Sequence, residues 1–205
     1  MRLSRRMLLP LVAGLMVPRL ARAAQDPLEG ARTLGDANAP VSVMEFYSLT
    51  CVHCADFQRE TFPRIKHELI DTSKLRWIYE DFPLDRVALM AAMIARALPP
   101  DRYEPFVNAL LETQDRWAFA RGVNPTEELG KMAALAGLSN EAFNKVVADN
   151  SLRDWILKRQ DDAVKKYGID ATPTFVFNGK AEKDHRESGA IDYEMFARAV
   201  AAAAG

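Results

Sequence analysis

Apolar and polar positions divide the chain into a strand-rich opening, a long helical middle and a strand-rich close. Val41, Val43, Met44, Phe46 and Tyr47 make a run apolar on both faces, after the turn cluster Asp36-Ala37-Asn38-Ala39-Pro40. Such a run predicts a strand in the middle of a sheet covered by helices. From Val52 the period lengthens to that of a helix, with Phe57, Phe62, Ile65 and Leu69 on one face. Pro63 predicts a kink or restart, because it lacks an amide donor and clashes with the preceding turn. Leu75-Arg76-Trp77-Ile78-Tyr79 predicts a second strand, ending at Asp81-Phe82-Pro83. Strand, helix and strand together are long enough for a right-handed crossover and a parallel pair. The polar stretch 24–32, with Pro27 and Gly30, reads as a flexible start.

No strand is predicted between Asp85 and Gly168. Val87, Met90, Ile94 and Leu98 mark one helix, stopped by Pro99-Pro100. Tyr103, Phe106, Val107, Leu110, Leu111 and Trp117 mark a second, with Asp101 as candidate N-cap. Asn124-Pro125-Thr126-Glu127-Glu128 starts a third, with a cap, a proline at the first helical position and acids in the first turn, and Gly137 closes it. Ser139 caps a fourth. Leu152, Trp155, Ile156, Ala163, Val164 and Tyr167 make a longer fifth that ends at Gly168. Thr174-Phe175-Val176-Phe177 is another strand, and Asn178-Gly179 reads as a hairpin turn. Its charged partner across 181–188 belongs at a sheet edge. Asp192 caps a terminal helix whose alanine-rich end is expected to fray.

The fold class is therefore α/β, with a helical block inserted in one domain. The expected divisions are 24–84 and 169–205 for the sheet domain and 85–168 for the insertion. A length of 205 residues, with 49% hydrophobic and 27% charged, suits such a globular domain. The net charge of -1 gives no reason to expect a nucleic-acid partner.

Residues 1–23 stand apart. Arg2, Arg5 and Arg6 form a positive n-region, residues 7–17 are apolar, and Ala21-Arg22-Ala23 is a cleavage pattern, which predicts an export signal. Ser4-Arg5-Arg6-Met7-Leu8-Leu9 also resembles a twin-arginine signal, so the expected route is Sec or twin-arginine. The apolar run is short for a membrane span of about 20 residues.

Both cysteines of the protein lie in Glu45-Phe46-Tyr47-Ser48-Leu49-Thr50-Cys51-Val52-His53-Cys54, where a strand hands over to a helix. A Cys51-Cys54 bridge encloses only two residues and so stabilises little. In an exported protein such a bridge is better suited to being made and broken than to acting as a staple. Cys51, at the helix start, faces unpaired amides and the positive end of the helix dipole, which favour its thiolate. His53 can donate to the same sulfur or add positive charge. Cys51 is thus expected to be the more exposed, attacking sulfur and Cys54 the buried, resolving one. Glu45 is costly to bury in an apolar strand, so it is either a strand-edge residue reaching solvent or a candidate proton acceptor or relay for Cys54. Pro173 is either a strand-entry residue or a cis-proline that frees the Thr172 backbone to pair with substrate.

Those motifs, with Asp81-Phe82-Pro83-Leu84-Asp85 and Thr172-Pro173-Thr174-Phe175 before Asn178-Gly179, resemble the DsbA-like thiol:disulfide oxidoreductases of bacteria. The resemblance spans the chain after residue 23, the helical block included. It implies a thioredoxin fold with that insertion, a periplasmic location, and disulfide formation in exported proteins carrying free thiols. It also implies reoxidation by a membrane thiol oxidase and no cofactor. Thr172-Pro173 would be the cis-proline loop, Glu45 the buried acid, and Val52 part of the substrate surface. The best-known members carry proline at the position of Val52 and valine at that of Thr172.

A disulfide isomerase or reductase of the same fold is the nearest alternative. Isomerases of this class add a dimerisation or trimerisation segment, for which 24–40 is too short, so a monomer is expected. More remote alternatives are a zinc module built on Cys51, His53, Cys54 and His67, and a holding chaperone with an apolar surface around Leu49, Val52 and Phe175. No metal is expected, because His53 lies too close between the cysteines for usual ligand spacing. His185 is expected in a loop.

Overall fold

The computed structural model describes residues 27–181 and 185–205; the export signal expected over 1–23 lies outside them. At the centre of a five-stranded sheet is β2 (Val41–Tyr47), parallel to β3 (Leu75–Asp81) and antiparallel to β4 (Thr174–Asn178). The edges are β1 (Arg32–Leu34) beside β3 and β5 (His185–Ser188) beside β4, both antiparallel, giving the order β1-β3-β2-β4-β5. The predicted strand-helix-strand opening is present, and the charged final strand lies at the edge as expected.

Alternation along β2 sends its residues to two cores. Val41, Val43 and Tyr47 join Trp77, Phe175 and Phe177 on one face, where the helices that carry Phe57, Phe62 and Phe196 pack. Phe46 joins Phe82, Val176, Ala163 and Ile169 on the other. Glu45 shares the aromatic face, opposite Tyr79 and Phe175 in register.

After β2, the chain runs through α1 (Val52–Glu60), α2 (Phe62–Ile65) and a π-helical turn (Lys66–Ile70). Pro63 falls in the first turn of α2, where its missing amide has no helical partner to lose. Between β3 and β4 lie α3 (Arg86–Ala97), α4 (Pro100–Glu112), α5 (Gln114–Trp117), α6 (Pro125–Leu135), α7 (Asn140–Val147) and α8 (Asn150–Tyr167). The chain ends with α9 (Tyr193–Ala204). Asn124, Ser139 and Asp192 cap α6, α7 and α9 as their sequences predict, and Gly168 closes α8 with φ 66°.

Several expectations need correction. Residues 27–34 hold a 3-10 turn and β1, because Arg32 is buried and donates to the Arg96 carbonyl at 2.8 Å. Asp101 is not a cap; Pro100 opens α4, and Asp101 sits in its first turn beside the positive dipole end. Trp117 belongs to the separate α5. Asn178-Gly179 is no two-residue turn, since β5 starts only at His185. Gly179 instead permits close approach to α9: a Cβ there would stand 2.1 Å from the Ala203 carbonyl oxygen. The alanine-rich end is docked by that approach, with Ala203 buried and its carbonyl accepting from the Ala181 amide at 3.3 Å. His185 lies on β5, paired with Glu187 at 2.6 Å, and not in a loop.

A buried polar cluster ties the helices to the sheet. Asp81, at the end of β3, accepts from Arg96 Nε of α3, and from the hydroxyls of Tyr47 at 3.1 Å and Tyr103 at 3.2 Å. Arg96 also donates to the carbonyls of Leu28 and Gly30, each at 3.1 Å, and lies over the Trp155 ring of α8. One ion pair thus joins the 3-10 turn, β3, α3 and α8, while Tyr47 and Tyr103 bring in β2 and α4.

Candidate active site

The turn between β2 and α1 is held by its own polar groups. The Cys51 amide donates to the Ser48 carbonyl at 3.1 Å, and Ser48 Oγ accepts from the Leu84 amide at 3.3 Å. Cys51 is the N-cap of α1, with extended backbone and no side-chain cap bond. Both cysteines are free thiols.

The two sulfurs differ sharply. Cys51 is pulled from its ordinary thiol range down to about 5. The Cys54 thiol donates the largest part of that effect; burial opposes it, and the Thr172 hydroxyl and the amides of Cys54 and His53 add to it. Cys54 is pushed well above its ordinary range by burial, then by its bond to Cys51 and the negative charges of Cys51 and Glu45. Cys51 retains 7% of its surface and Cys54 0%. Cys51 is the outer sulfur as expected, but it is far less open than its position at a helix start implies, because the Thr172 loop roofs it.

That roof is the cis Thr172-Pro173 peptide. Cys51 Sγ donates to the Thr172 carbonyl at 3.3 Å. Thr172 Oγ1 is buried without a hydrogen-bond partner among the described residues, so it is at hand to donate once the sulfur is ionised. The loop is braced from the end of β5 and the residue after it: the Gly189 amide donates to the Pro173 carbonyl at 2.8 Å, and Thr174 Oγ1 lies 3.1 Å from Ser188 Oγ.

Glu45 is buried on the aromatic face, and Oε1 has no hydrogen-bond partner among the described residues. Burial pushes its carboxyl up to about 8; the Trp77 indole opposes the shift, and the Cys51 charge adds to it. The folded state therefore holds this proton more tightly than the unfolded chain. Stability falls as pH rises from the ordinary carboxylate range, near 4.5, towards about 8. Glu45→Gln should remove that fall, making the reduced protein more stable by roughly 3 kcal/mol at pH 7 and leaving it almost unchanged at pH 4. Urea unfolding at the two pH values checks this, and equal effects at both would contradict it.

The remaining expected residues fall as follows. Val52 is 53% exposed beside the cysteines, with Leu84 and Phe119 also exposed. The His53 imidazole is exposed and makes no hydrogen bond among the described residues; what reaches Cys51 is its backbone amide. Leu49 and Phe175 are buried, so of the three residues expected to form a chaperone's apolar surface only Val52 is exposed. Among the described residues no group of three or more His, Cys, Asp or Glu side chains converges as a metal site requires, and His67 stays apart on the π-helical turn.

Two contributors escaped the sequence reading. Asp85 caps α3 through the Ala88 amide and accepts from Thr50 Oγ1 at 2.7 Å, bracing the site turn. An acid just before a helical run is a recognisable signal. Gln114 of α5 donates from Nε2 to the carbonyls of Leu49 at 2.8 Å and Cys51 at 3.1 Å. Nothing in its sequence surroundings marks it. It also lines a groove of about 360 Å³ beside Val52, Leu111 and Phe119.

Residues 28–200 match the family model described as thioredoxin. Wolbachia pipientis alpha-DsbA1 is 33% identical, with a TM-score of 0.77 over 86% of this chain and 92% of that one. Disulfide bond formation protein D of Bacillus subtilis is 26% identical over 175 residues, 80% of this chain and 75% of that protein. A Rickettsia typhi protein provisionally named a protein-disulfide oxidoreductase is 29% identical over 147 residues, 71% of this chain. The chain spans about half of that protein's length, 54%.

Proposed function

We propose that this chain, which belongs to the thioredoxin family as a DsbA-like member, is a thiol:disulfide oxidoreductase that donates a Cys51-Cys54 disulfide to exported proteins. The observation that carries this direction is the asymmetry of the two sulfurs: one thiolate stabilised at a helix start, one thiol buried and protonated. A stabilised thiolate exists only in the reduced protein, so it favours the dithiol and makes the disulfide a ready oxidant.

A substrate thiolate attacks Cys51 Sγ, the Cys51-Cys54 bond breaks, and Cys54 leaves with the electron pair. Cys54 then takes a proton, for which the neutral carboxyl of Glu45 is the buried source. A second substrate thiolate attacks the substrate sulfur of the mixed disulfide and expels Cys51, a good leaving group because its thiolate is stable. Two electrons pass to the protein and one disulfide forms in the substrate. In this reading the Thr172 backbone, whose carbonyl lies 3.3 Å from Cys51 Sγ, pairs with the substrate strand, and exposed Val52, Leu84 and Phe119 give an unfolded chain an apolar footing. The leader pattern in 1–23 supports a periplasmic setting, where a membrane thiol oxidase would restore the disulfide.

Equilibration with glutathione buffers tests the direction. The pair is expected to be a stronger oxidant than about −180 mV, and a value near −270 mV, typical of a reductant, would reverse the proposed electron flow. Efficient reshuffling of scrambled disulfides without oxidation of a reduced substrate would favour the isomerase instead.

A further inference from the structure

We propose that Gln114, in the helical insertion, is a positioning residue for thiol-disulfide exchange: its side-chain amide fixes the Cys51 backbone so that Sγ stays aligned with the first-turn amides of α1. The inference rests on the exchange reading above and extends it to a residue 63 positions downstream of the nucleophile.

Gln114 is 5% exposed, and its Nε2 bridges the carbonyls of Leu49 and Cys51, which flank the turn that delivers the sulfur. The bond to Leu49 has a structural use, since a buried carbonyl needs a donor. The bond to Cys51 is different. That carbonyl already accepts from the Ala55 amide at 3.2 Å, the first helical bond of α1, so Gln114 is not needed to satisfy it. What the second donor supplies is orientation. Cys51 is an N-cap without a side-chain cap bond, and its backbone angles, φ −85° and ψ 118°, decide where Sγ points. Holding the carbonyl from outside the helix restrains ψ, and with it the approach of Sγ to the amides of His53 and Cys54.

The anchor itself is rigid. α5 leads to Trp117, fully buried, whose indole donates to the Leu110 carbonyl of α4 at 2.7 Å. The opposite side of the turn is braced by Asp85 through Thr50. Of these two braces from beyond β3, Gln114 is the one that grips the nucleophile's own backbone.

Two variants test the role. Gln114→Met keeps the length and removes the donors; Gln114→Glu keeps the shape and replaces the donors with acceptors. The readouts are the pH dependence of thiolate absorbance, the equilibrium constant with glutathione, the rate of alkylation, and the thermal midpoint of the reduced protein. Gln114→Met should shift the glutathione equilibrium about tenfold towards the disulfide and raise the pH midpoint of the Cys51 thiolate by about one unit. Gln114→Glu should move both further in the same direction, because its charge lies near the developing thiolate. If either folded variant loses thermal stability but keeps the wild-type midpoint and equilibrium within about twofold, Gln114 is structural only and the proposal fails. Should Gln114→Met not fold, the isosteric Gln114→Glu decides by the same criterion. Wild-type protein that exchanges with neither glutathione nor a reduced substrate would instead overturn the oxidoreductase reading.

Discussion

Cys51→Ser should abolish disulfide donation and form no mixed disulfide with a disulfide-bonded substrate, whereas Cys54→Ser, whose Cys51 thiolate attacks the substrate disulfide and expels one substrate thiolate, should accumulate one. The reason is the difference between the sulfurs. Cys51 is ionised above about pH 5 and reachable under the Thr172 loop, while Cys54 has no exposed surface and holds its proton. In Cys54→Ser the mixed disulfide on Cys51 has no internal thiol to resolve it. Alkylation of reduced wild-type protein should label Cys51 alone, with a rate that rises through a midpoint near pH 5. Mass spectrometry after a timed iodoacetamide pulse gives both site and profile. Prior labelling of Cys54, or a midpoint in the ordinary thiol range, would contradict the assignment. The same Cys51→Ser protein separates oxidase from holding chaperone, because protection of an unfolding client needs no thiol.

The second large effect concerns the buried ion pair. Arg96→Ala should cost about 3–5 kcal/mol of stability, because it leaves the Asp81 carboxylate uncompensated among buried groups. Asp81 and Arg96 are both almost fully removed from solvent. Tyr47 and Tyr103 would still donate to Asp81, but two neutral donors do not replace a guanidinium. The double replacement Asp81→Leu/Arg96→Met should cost clearly less than Arg96→Ala, since it removes the charge rather than stranding it. Chemical denaturation of the single and double variants gives the coupling directly. An Arg96→Ala cost below about 1 kcal/mol would show that the cluster does not lock the helices to the sheet.

Local signals in the sequence were dependable wherever one residue's own chemistry decides the structure. Asn124, Ser139 and Asp192 offer side-chain oxygens to the first amides of their helices, and Gly168 tolerates a left-handed backbone. The same holds for β2, whose apolar run on both faces suits only a covered central strand. Local signals failed where a distant partner decides. Residues 27–34 look polar and loose, yet Arg32 is drawn inward by the Arg96 carbonyl, 64 positions away. Asn178-Gly179 has the composition of a tight turn, but its glycine serves the approach of the Ala203 carbonyl. The alanine-rich end looks frayed only until that contact is known.

The site divides along the same line. The spacing of Cys51 and Cys54 at a strand-to-helix junction, and with it the proposal of redox chemistry, was determined by the sequence alone, because both residues and the amides that serve them lie within one helical turn. Tertiary structure decided how deeply the two sulfurs are covered and what else reaches them. It set Thr172 over Cys51 and buried Glu45 beside Trp77, which pushes that carboxyl up to about 8. It also brought Gln114 and Asp85 to the turn from elements whose sequences show only helix starts and polar helix positions. Burial and hydrogen bonding across more than sixty residues leave no periodic trace in a chain, and here those contacts hold the turn and cover both sulfurs, while the local Cys54 bond and first-turn amides supply most of the thiolate's stabilisation.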